Sequence, residues 1–261
     1  MSISQMKFSE NCAIVVENFT NSLKKGWIEL IATICLFILT GIISITIYPK
    51  MRATSYDNLN ERYTYSGETI GSVQVGFFII VIPFVTVGAI SLVLPKKIDL
   101  WYAYLSLIQT LALTLLITEA LKVTVARPRP NYFSYCGYNV TTEKCNGKQK
   151  HQRDARLSFP SGHSSNSFSS GTWLTLFLSF IFPQEQIWWI LIKFIPIAIA
   201  TFVSATRIID YMHHVSDVVG GAMIGVGIAL MIFSAQSSRI FICENSQEDE
   251  PLLVTTDSVV I

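Results

Sequence analysis

Lys122, Arg129, Ser161, Gly162, His163, Arg207, His213 and Asp217 fall in three short polar stretches of an otherwise apolar chain. Lysine and arginine supply fixed positive charge. A glycine at a helix start lets unpaired backbone N–H groups approach an anion, and imidazole near neutral pH can move a proton or attack. His213 and Asp217 are four apart and share one helix face, so the carboxylate can hold one imidazole nitrogen while the other stays free. Together these residues suit transfer of a phosphoryl group. Cations and amides would hold its charged oxygens, one histidine would act as nucleophile, and the other would protonate the departing oxygen.

Each stretch also has a plainer reading. Lys122 can simply mark a membrane boundary, with its stem in apolar surroundings and its ammonium in water. Glu119, one turn earlier, is placed to pair with it. On a continuing helix Lys122 and Arg129 would point nearly the same way, but Pro128 and Pro130 predict that the helix ends first. Ser161, Ser164 and Ser165 can cap a helix rather than bind an anion. His214 points about 100° away from His213 and is read as structural. A zinc site built from His163, His213, His214 and Asp217 fits poorly, because the neighbouring cations oppose a divalent ion and no zinc-binding helix spacing occurs. No metal is expected. The coincidence of all three stretches favours phosphoryl transfer over the separate structural readings.

The elements that must position these residues are apolar helices. Hydrophobic residues make up 51% of the chain, charged residues 14%, and mean hydropathy is +0.45, which argues against a soluble domain. No like-charge block and no glycine-rich nucleotide loop appears, so neither a nucleic-acid partner nor a cofactor is expected. Segments near 28–48, 70–94, 101–121, 164–182, 187–206 and 215–236 approach the length needed to cross about 30 Å of hydrocarbon. The predicted fold class is all-α, a polytopic bundle of six transmembrane helices over 27–236. Residues 1–26 form a polar cytoplasmic lead-in, read as a short helix on the membrane. Residues 237–261 form an acidic cytoplasmic tail, expected to be disordered. The first span is read as a retained anchor rather than a cleaved leader.

Lys24, Lys25, Lys96 and Lys97 put their ends of the bundle in the cytoplasm. The basic 122–163 loop then faces the extracellular or lumenal side together with 49–69 and 207–214, so all three polar stretches share one face. Asn139-Val140-Thr141 is a glycosylation sequon, and Cys136 and Cys145 bracket it at a distance that allows a disulfide in an oxidising compartment. Cys12, Cys35 and Cys243 are read as free thiols, with palmitoylation of Cys243 as the alternative.

With their spacing, Lys122, six residues, Arg129-Pro130, then Pro160-Ser161-Gly162-His163, then Arg207, five residues, His213, three residues, Asp217, closely resemble the signature motifs of integral-membrane lipid phosphate phosphatases, the type 2 phosphatidic acid phosphatase superfamily. The resemblance covers roughly 27–236. It implies magnesium-independent hydrolysis with His213 as nucleophile, Asp217 as its orienter and His163 as acid. Lys122, Arg129, Ser161, Gly162 and Arg207 would cradle the phosphate. It implies substrates such as phosphatidate, lysophosphatidate, ceramide 1-phosphate and sphingosine 1-phosphate. One departure is visible: the third motif usually opens Ser-Arg, and here it opens Thr206-Arg207. A glucose 6-phosphatase-like enzyme, a sphingosine-phosphate-specific phosphatase, and a non-enzymatic adaptor or transporter are the rival readings. Span count disfavours the first two, and the retained histidines and cations disfavour the last.

Two features stand apart from this chemistry. Gly221 and Gly225 have a spacing that permits close helix contact, within the bundle or, alternatively, in a homo-oligomer. Glu248, Leu252 and Leu253 fit an acidic dileucine sorting signal of the kind clathrin adaptors bind, and the last residues, Val259–Ile261, could add a strand to a PDZ domain.

Overall fold

A computed structural model describes residues 3–50 and 52–242. The chain runs through α1 (Ile3–Lys25), α2 (Trp27–Thr46), a 3-10 turn (Leu59–Glu61) and α3 (Ser72–Gly76). A π-helical turn (Phe77–Val81) leads directly into α4 (Ile82–Val93), and α5 (Leu100–Val125) follows. Beyond these lie α6 (Tyr132–Tyr135), a hairpin of β1 (Tyr138–Asn139) and β2 (Lys144–Cys145), and α7 (Gln149–Asp154). The last three helices are α8 (Gly162–Ile181), α9 (Ile187–Ile209) and α10 (Val215–Ile240). Cys243, the dileucine at Glu248, Leu252 and Leu253, and Val259–Ile261 lie outside the described residues.

Among the described residues five helices are long and apolar enough to span a bilayer: α2, the continuous Ser72–Val93 helix, α5, α9 and α10. The 20-residue α8 is the sixth helix of the bundle. Its hydropathy is lowered by Ser164, Ser165, Ser167, Ser169 and Ser170, all of them buried. Those serines meet protein rather than lipid, so the most enclosed helix is the least apolar. By contrast Ile187, Ile190, Leu191 and Ile195 on α9 are exposed, as a lipid-facing surface requires. The chain is an all-α, multi-pass integral membrane protein.

Glycine sets the closest helix contacts. A methyl group at Gly225 would overlap the Ser165 carbonyl, and one at Gly221 would stand 2.6 Å from the Ser161 carbonyl oxygen. The Gly221/Gly225 pair therefore faces α8 inside the bundle. Gly171 does the same for α9, where a methyl would lie 2.8 Å from the Pro196 carbonyl oxygen. Larger residues at these positions must part the helices, at a typical overpacking cost of about 1–3 kcal/mol. Below these contacts Trp173, Phe177, Leu107 and Phe233 fill the core, and the Trp173 indole N–H donates to Ser106 Oγ at 3.0 Å.

The lead-in is longer than the expected short helix: α1 has 23 residues. It docks on the α4–α5 turn through Asn11 Nδ2 to the Leu92 carbonyl (3.0 Å) and an edge-on Phe19–Trp101 contact (5.4 Å). Asp99 caps α5 by accepting from the Tyr102 N–H (3.2 Å) and also accepts from the Ser22 hydroxyl. At the opposite end of the bundle the segments between α2 and α3, α5 and α8, and α9 and α10 gather into one polar cap. Ala126, with φ of 49°, ends α5 in the left-handed conformation and turns the chain toward Arg129. Cys136 and Cys145 are joined, with Cα atoms 5.3 Å apart, and Asn139 is exposed on the same hairpin.

Candidate active site

The three polar stretches converge on one cavity of about 270 Å³ in the polar cap, lined by Lys122, Arg129, Gly162, His163, Arg207 and His213. Glu68, Glu119 and Arg153 share its wall. Each residue arrives by a different local device. Lys122 rides the last turn of α5 and pairs with Glu119 at 2.6 Å, as the spacing predicts. Arg129 lies past the helix end, where its Nε donates to the Asp154 carbonyl (2.7 Å) and its Nη1 to the Met212 carbonyl (2.9 Å). Its planar guanidinium is thereby fixed before any ligand arrives.

His213 follows a tight turn closed by the Met212 and His213 N–H groups, both donating to the Arg207 carbonyl (3.1 and 3.2 Å). Its Nδ1 lies 2.7 Å from the Ser158 carbonyl oxygen, which can only accept, so Nδ1 carries the proton. Nε2 keeps its lone pair, stands in the cavity and lies 3.3 Å from Arg129 Nη1. The resulting tautomer is the one a nitrogen nucleophile requires.

Asp217 and His213 do not share a helix face as the spacing predicts, because α10 begins at Val215 with His214 as its N-cap and His213 precedes it. The Asp217 Oδ2 lies 4.0 Å from His213 Nδ1, because it accepts instead from Ser158 Oγ (2.6 Å) and the His214 N–H (2.9 Å). Arg127 binds its other oxygen at 2.6 Å. Asp217 therefore holds Ser158, whose carbonyl holds His213. His214 also lies against Asp217, Nδ1 to Oδ2 at 3.2 Å, and caps α10.

Ser161 differs from its expected place in the phosphate cradle. Its N–H donates to the Asp217 carbonyl (3.0 Å), and its hydroxyl accepts from the Ser164 N–H (3.4 Å) as the cap of α8. It is fully buried and positions the helix start without facing the cavity. Gly162 and His163 follow as the first helical residues, whose N–H groups have no acceptor within a helix. A side chain at position 162 would press on Lys122, with Cβ 3.0 Å from Nζ. His163 Nε2 is buried and has no protein partner.

Arg207, at the end of α9, is fully buried between carboxylates: Glu68 Oε2 at 3.0 Å and Asp210 Oδ2 at 2.8 Å. The Thr206 hydroxyl donates to the Val203 carbonyl (2.7 Å) and accepts from the Arg207 guanidinium (3.3 Å), so threonine keeps the oxygen in use. Asp210 in turn receives the Thr69 N–H (2.8 Å) and hydroxyl (2.6 Å). Ser158, Arg127, Glu68 and Asp210 were not among the expected site residues. Arg127 lies within the first stretch and Asp210 within the third, three residues after Arg207, and those positions were the available signal.

Burial first, then the Arg129 and Lys122 cations, holds the His213 imidazole well below its usual pKa, so it is neutral at pH 7. An unfolded chain would bind this proton below about pH 6.5 and the folded one would not. Stability from this group is thus complete above pH 6.5 and lost as pH falls toward the depressed value. Thermal unfolding of detergent-solubilised protein should shift to lower temperature between pH 7.5 and 5, and His213→Ala should reduce that dependence. Equal slopes in the two proteins would contradict it.

Residues 103–241 match the family model described as the PAP2 superfamily, a region holding all three stretches. Lipid phosphate phosphatase 2 of Arabidopsis thaliana is 32% identical over 220 residues, which cover 79% of this chain and 74% of that protein. Lipid phosphate phosphatase 1 of the same plant is 30% identical over 80% of this chain and 67% of its own length. A probable diacylglycerol pyrophosphate phosphatase 1 of Schizosaccharomyces pombe is 24% identical over 74% of each chain. No solved structure matches. The chain belongs to the PAP2 superfamily, that of the type 2 phosphatidic acid phosphatases.

Proposed function

We propose that the protein hydrolyses lipid phosphate monoesters without magnesium through a phosphohistidine on His213. The observation that carries this reading is the neutral His213, with an unprotonated Nε2 facing a cavity that also holds Arg129, Lys122 and Arg207, the first of which donates weakly to it at 3.3 Å. Nε2 attacks phosphorus, the P–N bond forms and the P–O bond to the lipid breaks. His163 gives its proton to the departing alkoxide, then takes one from a water whose oxygen attacks phosphorus as the P–N bond breaks, which releases inorganic phosphate and returns His213 to its neutral form. The three cations and the first amides of α8 stabilise charge on the phosphoryl oxygens. Ser158 and Asp217 position the nucleophile.

Phosphatidate, lysophosphatidate, ceramide 1-phosphate and sphingosine 1-phosphate are the proposed substrates, and the relatives' names extend this set to diacylglycerol pyrophosphate. The sequon at Asn139, the bonded Cys136 and Cys145, and the lysines at the opposite end support an extracellular or lumenal site. Purified protein with excess chelator should release phosphate from at least one lipid of this panel. Failure on every lipid, with folded protein, would remove the proposal.

The acid role separates from the nucleophilic one by leaving group. His163→Gln should slow lipid hydrolysis by about 10²- to 10⁴-fold. With an aryl phosphate such as p-nitrophenyl phosphate, whose phenolate leaves without a proton, most of that loss should disappear. Equal losses on both substrates would assign His163 to phosphate binding instead.

A further inference from the structure

A second cavity, of about 160 Å³, lies beneath the first between the Ser72–Val93 helix, α8 and α9. Its wall is almost wholly apolar, with Ile79, Ile82, Leu174, Ile195 and Ile199 prominent. Each of these three helices also reaches the upper cavity, through Ser72, His163 and Arg207. Along α8 the order is His163 in the upper cavity, then Ser167, Gly171 and Leu174 in the lower one, a single stripe at helical spacing. Ser72 above and Ile79 below stand about two turns apart on one face of their helix. Ile195, on the wall, is half-exposed at the lipid-facing surface of α9, so the groove is reached from the hydrocarbon side.

Ser167 gives this groove a polar neck. Ser167 is 4% exposed and its Oγ has no hydrogen-bond partner, although a mid-helix serine can ordinarily bond back to its own helix. It stands four residues, about 6 Å along the axis, below His163. Further down, the π-helical turn at Phe77–Val81 and the Gly171–Pro196 contact shape the opposite walls.

We propose that this groove receives one hydrocarbon chain of the lipid phosphate. Ser167 donates to the ester carbonyl or hydroxyl nearest the reacting phosphate, and the groove discriminates long-chain from short-chain substrates. The assignment rests on the reading of the upper cavity as a phosphatase site. It gives that site a reason to prefer a lipid to a soluble monoester: the chain is held in line while the phosphate meets His213.

The test fills the groove from two sides, with Ile199→Trp and separately Thr86→Phe in the full-length protein. kcat/KM is then compared for dioleoyl and dibutyryl phosphatidate. At least a tenfold loss on the dioleoyl lipid is expected, with the dibutyryl lipid within about twofold of wild type. Equal losses on both lipids, or none on either, would overturn the groove while leaving the phosphatase intact. A binding measurement keeps the two proposals separable. Dodecyl phosphate should raise the unfolding temperature of His213→Ala more than butyl phosphate does, and Ile199→Trp in the same background should abolish the difference. Inactive wild-type protein that still shows this chain-length effect would remove the catalytic proposal alone. Absence of the chain-length effect would remove the groove.

Discussion

His213→Ala should lower lipid phosphate hydrolysis by about 10⁴- to 10⁶-fold, the range met when a covalent nucleophile is deleted. The size of this effect separates chemistry from folding. Removing the imidazole leaves the buried Ser158 carbonyl without its donor, a loss of about 1–3 kcal/mol. A native state stabilised by about 5–15 kcal/mol survives that loss, so most of the variant remains folded and instability cannot produce four orders of magnitude. The wild-type enzyme, quenched during turnover of ³²P-labelled phosphatidate, should carry acid-labile, base-stable label on protein, and the variant should carry none. Label persisting on His213→Ala would move the nucleophile elsewhere.

Arg207→Met should damage stability and activity together, and the two effects can be pulled apart. Arg207 is fully buried and neutralises Asp210, itself 7% exposed, while Glu68 keeps some contact with water. Deleting one member of a buried pair leaves an uncompensated charge, at about 3–5 kcal/mol, a large share of the whole folding free energy. Adding Asp210→Asn removes that charge and keeps an oxygen for the Thr69 N–H, so the double variant should recover most of the unfolding temperature. It should not recover phosphatase activity, because the phosphate still lacks its third cation. A single variant that melts with the wild type would contradict the electrostatic account. Restored activity in the double variant would show that Arg207 only holds the fold.

The spans were legible because lipid selects for apolar side chains over a fixed length. Hydropathy reports lipid contact well and protein contact badly. For that reason α8, with five buried serines, falls below the apolar threshold that the lipid-facing α9 clears easily. The three cations and two histidines were legible because their chemistry is written in residue type and their spacing survives folding. The group that orients His213 was not, since it is the backbone carbonyl of Ser158, and every residue has one. Helix spacing predicted one face for His213 and Asp217, but the helix starts only at Val215, and Ser158 comes between the two side chains. Ser161 shows the reverse: its ordinary capping preference described it better than its place in a catalytic motif. Glu68 lay in a long loop without periodicity, and only the folded chain carries it to Arg207.

That last contact gives the cavity a counter-charge from outside the region matched to the superfamily, which begins at residue 103. Glu119 and Asp210 lie within that region, so only part of the site's resting charge is written outside the part of the chain that holds the motifs. Relatives can retain every catalytic residue and still differ in how strongly the empty site attracts an anion, by altering one acidic position in an outer loop.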